Sequence, residues 1–169
     1  MRLPVRLLIA PVALYASWLG MMAVHELGHV IHARLSGGVV EAVHVPLARF
    51  SVTTYTVNPR PRFVAWGGVL WGSVLPIIAC AIARLASMPG HRWLQFFAGF
   101  CLVANGAYLG VGWAMRVGDA HDLVGLGESK ALMCAFGIVA VTAGLYLWHA
   151  LGPILPRDVK QGGPNRPAL

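Results

Sequence analysis

The sequence predicts an all-α polytopic membrane protein with four transmembrane helices and a small β-hairpin between the first and second helices. Its 169 residues are 57% hydrophobic and only 11% charged, whereas a soluble domain carries about 25% charged residues. Four apolar stretches are each long enough to cross a hydrocarbon layer about 30 Å thick. The formal net charge is +7, and because the arginines flank the apolar stretches they indicate contact with the headgroups of a lipid bilayer. The interleaving of aromatic and basic residues that is typical of nucleic-acid binding does not occur, so we expect no nucleic-acid partner.

The four helices are predicted from the length and apolarity of their segments. They cover about 7–33, 63–87, 93–117 and 131–151. Two arginines precede the first helix, as in a signal peptide, but the apolar run from Leu7 to Val24 has the length of a membrane span, so we expect no cleavage. The second and third helices each contain a Gly-x-x-x-Gly spacing, at 68–72 and 106–110. This spacing either lets helix backbones approach closely or reflects the general abundance of glycine in membrane helices.

Residues 39–57 predict the β-hairpin. Gly37 and Gly38 end the first helix, and two partly alternating, β-branched stretches follow, "VVEAVHV" and "RFSVTTYTV", before "NPRPR" ends the unit. We expect this hairpin to lie at the membrane surface. Residues 1–151 then form one intramembrane domain, and residues 152–169, which are rich in proline and glycine, form a flexible C-terminal tail.

The first helix carries the sequence "HELGH" near its end, a His-Glu-x-x-His motif. His25 and His29 are four residues apart and project from one helix face, where two imidazoles can bind one Zn²⁺. Glu26 is rotated by about 100° from His25, beside the metal, where it can accept a proton from the attacking water. Chance would place such a motif in this chain about 0.005 times. A buried polar cluster without a metal is the alternative, but ionisable residues inside a membrane are by default functional.

A catalytic zinc requires a third protein ligand and one open position. The first and third helices run parallel across the bilayer, so the C-terminal end of the third helix reaches the same depth as the two histidines. The segment "RVGDAHDLVGLG" lies at that end and offers Asp119 and Asp122. We expect one of these aspartates to be the ligand and the other to cap the short segment that follows.

Three further polar residues have candidate roles near the site. His32 shares a helix face with His25 but lies about 10 Å away, too far for both to bind one tetrahedral ion, so we expect it to support a ligand or to lie at a helix interface. His121 either holds a ligand carboxylate or is exposed. Asn105 either hydrogen-bonds a neighbouring helix or binds substrate. Its separation from the aspartates, about 21 Å along a helix, argues against direct contact with the zinc.

These motifs resemble those of the site-2 protease family of intramembrane zinc metalloproteases. "HELGHVIHARLSGG" is similar to the family's metal-binding helix, and "GDAHDL" is similar to its third-helix aspartate motif, with Ala120 in place of the usual glycine. The resemblance covers about residues 7–125 and corresponds to a small variant without a PDZ-type domain. It implies that His25, His29 and Asp119 bind one Zn²⁺ per chain and that Glu26 is the general base. We expect the protein in the cytoplasmic (inner) membrane of a prokaryote.

The function that follows from this resemblance is zinc-dependent hydrolysis of peptide bonds in or near the transmembrane segments of membrane-protein substrates. The predicted strands would bind an extended substrate by adding it to a sheet edge. The alternative is a non-proteolytic subunit that retains the metal site and assembles with other subunits of a larger membrane complex. A di-iron hydroxylase is disfavoured, because such enzymes require several separate histidine clusters and this chain has one.

Overall fold

The structure is a computed structural model that describes residues 3–152, with side chains described from Leu8 onward. Within these residues it contains five helices and one two-stranded sheet. The elements are α1 (Leu3–Leu35), β1 (Val39–His44), β2 (Val52–Val57), α2 (Pro61–Leu85), α3 (His91–Met115), α4 (Gly118–Gly125) and α5 (Lys130–His149). The predicted tail lies outside the described residues except for Gly152.

The prediction of four membrane-spanning helices and one hairpin is confirmed. Among the described residues, four helices are long and apolar enough to cross a membrane: α1 from Leu8 onward, α2, α3 and α5. Their ends differ from the predicted ones by a few residues because local geometry determines them. Pro61 begins α2, where its missing N–H would have had no helical partner, and Arg116 ends α3 in a left-handed conformation with φ of 57°.

Glycines bring the helices of the bundle into close contact. A Cβ added at Gly106 of α3 would lie 2.8 Å from the Cβ of Ala140, and one added at Gly110 would lie 3.2 Å from the Cα of Gly137 in α5. Helices α1 and α2 cross where Gly28 faces the carbonyl oxygen of Gly67. Close backbone approach is therefore the correct explanation for the Gly-x-x-x-Gly spacing in α3.

Helix α4 is short, but it packs against α2, α3 and α5. The side chains of Ala120 and Leu123 are fully buried and join Val69 of α2, Leu109 of α3 and Met133 of α5 in one apolar cluster. The exposed residues of α4 lie on the opposite side. This packing fixes the position of the segment that contains the two candidate aspartates.

The hairpin folds back along α1, and its position at the membrane surface stays a prediction. The Tyr15 hydroxyl donates to the carbonyl oxygen of Leu47, in the loop between the strands, at 3.0 Å. Along the axis of α1, Tyr15 lies about 30 Å before the C-terminal end of the helix. The hairpin also exposes many apolar side chains. Its apolar side chains that are at least 38% exposed are Val39, Val43, Val45, Leu47, Phe50, Val52 and Val57.

Candidate metal centre

The three side chains that the resemblance implies as ligands converge on one point. The Nε2 atoms of His25 and His29 are 3.1 Å apart. The Oδ2 atom of Asp119 lies 2.9 Å from the first of these nitrogens and 3.2 Å from the second. Ligand atoms bound at about 2.0–2.1 Å to a tetrahedral ion are about 3.3 Å from one another. The three atoms therefore have nearly the spacing of three corners of a tetrahedral site.

Hydrogen bonds on the far side of each imidazole determine which ring nitrogen carries the proton. The Nδ1 atom of His29 lies 2.9 Å from the carbonyl oxygen of Val64, which can only accept. The Nδ1 atom of His25 lies 2.8 Å from the Oδ1 atom of Asn105. The amide nitrogen of Asn105 donates to the carbonyl oxygen of Cys101, so its oxygen faces the imidazole. Both Nδ1 atoms are therefore donors, and in the neutral rings both Nε2 atoms direct lone pairs at the convergence point.

This arrangement of donor atoms fits a zinc ion. Two lone pairs and a carboxylate oxygen within 3.2 Å of one another repel unless a cation lies among them. Two imidazoles and one carboxylate are also a common ligand set of catalytic zinc. Gly68 of α2 faces the same point, and a Cβ there would lie 2.5 Å from both Nε2 atoms. The absence of a side chain at this position keeps the space beside the nitrogens open.

A sharp turn between α3 and α4 places Asp119 at the histidines. Arg116 and Gly118 both have positive φ values, 57° and 44°, and the chain reverses between them. Burial by itself raises the pKa of Asp119, but hydrogen bonds and opposite charge at His25 and His29 outweigh it and hold the pKa well below its ordinary value. These hydrogen bonds and charges require protonated imidazoles, in which both ring nitrogens are donors. The carboxyl group is thus ionised at neutral pH, as a metal ligand must be.

Glu26 lies beside the convergence point and is engaged by the hairpin. Its side chain is only 2% exposed, and its carboxylate is within 4.8 Å of the ligand nitrogens of His25 and His29. The hydroxyl of Thr53, on strand β2, donates to Oε2 of Glu26 at 2.5 Å. The closer approach of Asp119 to both imidazoles makes Asp119 the better third ligand and leaves Glu26 adjacent to the site.

The remaining predicted site residues lie around this centre. His32 donates from Nδ1 to the carbonyl oxygen of Phe63 at 2.6 Å and stacks on its ring, so it lies at the α1–α2 interface. Asp122 and His121 are exposed on the wall of a cavity. Asn105 is 1% exposed and makes the interhelical hydrogen bond to His25 described above.

His25, His29 and Asp119 line a cavity of about 940 Å³. Its apolar walls include Trp18, Met21 and Met22 of α1. The hairpin contributes through β2 and the loop before it. Burial, with the negative charges of Asp119 and Glu26, raises the pKa of Tyr55 on β2, so this phenol remains a hydrogen-bond donor at the cavity.

Sequence reasoning missed three contributors to the site. Tyr108 touches Asp119, Thr53 touches Glu26, and Gly68 leaves room beside the imidazoles. A signal existed for Tyr108, which follows Asn105 by three residues and so shares its helix face. None existed for Thr53, because its contact depends on the hairpin folding back along α1.

Comparisons of the chain with models of protein families, with curated proteins and with solved structures find no match.

Proposed function

We propose that this protein is a zinc-dependent intramembrane protease of the site-2 protease type, which hydrolyses peptide bonds in or near transmembrane segments of membrane proteins. One observation carries the proposal. The metal-binding atoms of His25, His29 and Asp119 converge beside a buried glutamate at the wall of a large cavity. We place the protein in the cytoplasmic (inner) membrane of a prokaryote.

The zinc would be held by His25, His29 and Asp119, and when bound it supplies Lewis-acid activation of a water molecule and of the scissile carbonyl group. Three protein ligands would leave the ion accessible to exogenous groups, whereas a structural zinc site is closed by four. Asn105 and the Val64 carbonyl orient the two imidazoles through their Nδ1 protons. Such outer contacts fix ring orientation and raise the basicity of the ligand nitrogen.

Glu26 acts as the general base and then as the general acid. It accepts the proton of the attacking water and later delivers a proton to the leaving amine nitrogen. The hydrogen bond from Thr53 fixes Oε2 of this carboxylate. The other oxygen, Oε1, is then the one that exchanges the proton.

Strand β2 and the cavity would bind the substrate. In the sheet of the described residues, β2 pairs with β1 along one edge only, and strand edges within a bilayer need hydrogen-bond partners. An extended substrate segment added to the other edge of β2 satisfies those backbone groups. It then passes the apolar wall formed by Trp18 and Met21, which suits side chains from a transmembrane helix.

The test compares the wild-type chain with Glu26→Gln in membranes that contain candidate single-span substrates. Cleavage fragments, identified by mass spectrometry, are expected with the wild type and not with Glu26→Gln, while both proteins retain one zinc per chain. Glu41→Gln is the matched control, because Glu41 is exposed on β1, and it should cleave normally. Unchanged cleavage by Glu26→Gln would refute the mechanism. Absence of fragments together with stoichiometric copurification of other membrane proteins would indicate the accessory-subunit alternative.

A further inference from the structure

We propose that Tyr108 is a positioning residue for the third metal ligand, and that its hydroxyl holds the α3–α4 turn in the conformation that directs Asp119 at the two imidazoles. The inference rests on the zinc site of the proposed function. It extends that function by assigning a role to a residue outside the ligand set and outside the motifs of the resemblance.

The hydroxyl of Tyr108 contacts both the backbone and the side chain of Asp119. It accepts a hydrogen bond from the Asp119 backbone N–H at 2.7 Å and donates to Oδ2 of the same residue at 3.4 Å. A phenolic oxygen can do both at once, because it carries one proton and acceptor lone pairs. The longer contact is the weaker one, so the backbone hydrogen bond provides most of the restraint.

The ring of Tyr108 also contacts the first ligand. It meets the imidazole of His25 edge to face, with ring centroids 5.8 Å apart and an interplanar angle of 82°. One side chain therefore contacts two of the three metal-binding residues, one from α1 and one from α4. This arrangement couples the orientation of His25 to the position of Asp119.

The turn that presents Asp119 needs such a restraint because its backbone is unusual. Arg116 adopts a left-handed conformation that is rare for a residue with a side chain, and Gly118 also has positive φ. The missing side chain of Gly118 leaves room for the Tyr108 hydroxyl, and a Cβ at Gly118 would overlap that oxygen. The small residue and the phenol are thus complementary in shape.

The first test is Tyr108→Phe, which removes the hydroxyl and keeps the ring. Loss of an outer partner of a metal ligand costs about 10- to 100-fold in metal affinity, so we expect the zinc Kd of the full-length detergent-purified protein to rise by that factor in competition with a chelator. The visible absorption of the Co²⁺-substituted protein should change in parallel, because the carboxylate ligand is displaced. Tyr146→Phe is the matched control, since the exposed Tyr146 lies on α5, and it should leave both measurements unchanged.

A second test uses the shape complementarity at the turn. Gly118→Ala is made alone and together with Tyr108→Phe. The strain of positive φ is common to both backgrounds and cancels in the comparison, whereas the collision with the hydroxyl is present only with Tyr108. We therefore expect Gly118→Ala to lower zinc affinity several-fold more in the wild-type background than in the Tyr108→Phe background.

The outcomes separate this inference from the proposed function. If the wild type binds zinc and Asp119→Ala does not, but Tyr108→Phe binds within twofold of the wild type, the inference is overturned while the zinc site stands. Equal effects of Gly118→Ala in both backgrounds also overturn it. A wild-type protein that binds no zinc overturns both. Circular dichroism checks that each variant retains its helices. If Tyr108→Phe does not fold, Gly118→Ala alone is the test, and the inference is overturned if that variant folds and binds zinc with wild-type affinity.

Discussion

If zinc binds as proposed, replacing Gly68 with alanine should weaken that binding strongly, although Gly68 is not itself a ligand. The added methyl carbon would lie 2.5 Å from both Nε2 atoms and 2.7 Å from Cε1 of His29. Ordinary van der Waals contact begins at 3.4 Å, so the imidazoles must retreat by about 0.9 Å, which is the difference between 3.4 and 2.5 Å. Packing on the far side of α2 opposes a retreat of that helix, because Val69 lies in the apolar cluster with Leu109 and Leu123.

The size of this displacement determines the size of the effect. Metal–ligand distances in protein sites vary by only about 0.2 Å, so a movement several times larger separates both imidazoles from a shared ion. We expect zinc affinity to fall by more than 100-fold, which corresponds to more than about 2.7 kcal/mol. The fold should survive, because the perturbed atoms are the tips of two side chains.

Equilibrium dialysis against buffered zinc, followed by elemental analysis, measures the effect. Gly125→Ala is the control, because Gly125 is also helical and a Cβ there meets nothing within 4 Å. That variant should bind one zinc per chain as the wild type does. If Gly68→Ala also binds one zinc per chain with a Kd within threefold of the wild type, the convergence of the imidazoles at Gly68 is not where the metal binds.

Three further predictions concern the contacts around the centre. Thr53→Val should lower the turnover rate by about 10- to 100-fold in the cleavage-fragment assay, because a hydrogen bond to a charged carboxylate contributes about 1.5–3 kcal/mol. Thr53→Ser should retain activity, and equal rates in the wild type and both variants would contradict the prediction. Asn105→Leu removes the acceptor for the Nδ1 proton of His25 and should weaken zinc binding by about 10- to 100-fold in chelator competition; unchanged affinity would contradict it. Gly137→Val places bulk on the backbone of Gly110 and should destabilise the α3–α5 contact by about 1–3 kcal/mol, seen as a lower thermal unfolding midpoint than that of Gly125→Ala.

The helices were predictable from the sequence because a membrane simplifies the problem. Backbone groups in hydrocarbon must pair internally, so length and apolarity are enough to identify a spanning helix. The existence of the hairpin was also predictable, from its β-branched stretches. Its contact with α1 was not, because alternation in a strand does not tell which surface its apolar face meets. The contact of Tyr15 with Leu47, which fixes the hairpin along α1, joins residues 32 apart.

Part of the candidate site was also predictable. Residues four apart, such as His25 and His29, share one face of any helix. The parallel direction of α1 and α3 brings the C-terminal ends of both helices to one depth. The choice of Asp119 over Asp122 depends on a turn with a left-handed Arg116, which no local pattern indicates. The same turn explains why the estimated separation of Asn105 and Asp119, about 21 Å along a continuous helix, was misleading. Helix α4 leaves the axis of α3, so Asn105 and Asp119 both contact His25.

Glu26 is the residue that best distinguishes a hydrolytic centre from a metal site kept for assembly. In the proposed site His25, His29 and Asp119 provide three ligands without it, so Glu26 would not be needed to hold the ion. Glu26 is nevertheless only 2% exposed, and burial of a charge is unfavourable unless nearby groups offset the cost. Thr53 provides one hydrogen bond, and a bound dication would supply the rest of the compensation. A purely structural site would be more stable with a neutral residue at this position, whereas proton transfer requires a carboxylate, and this difference favours hydrolysis.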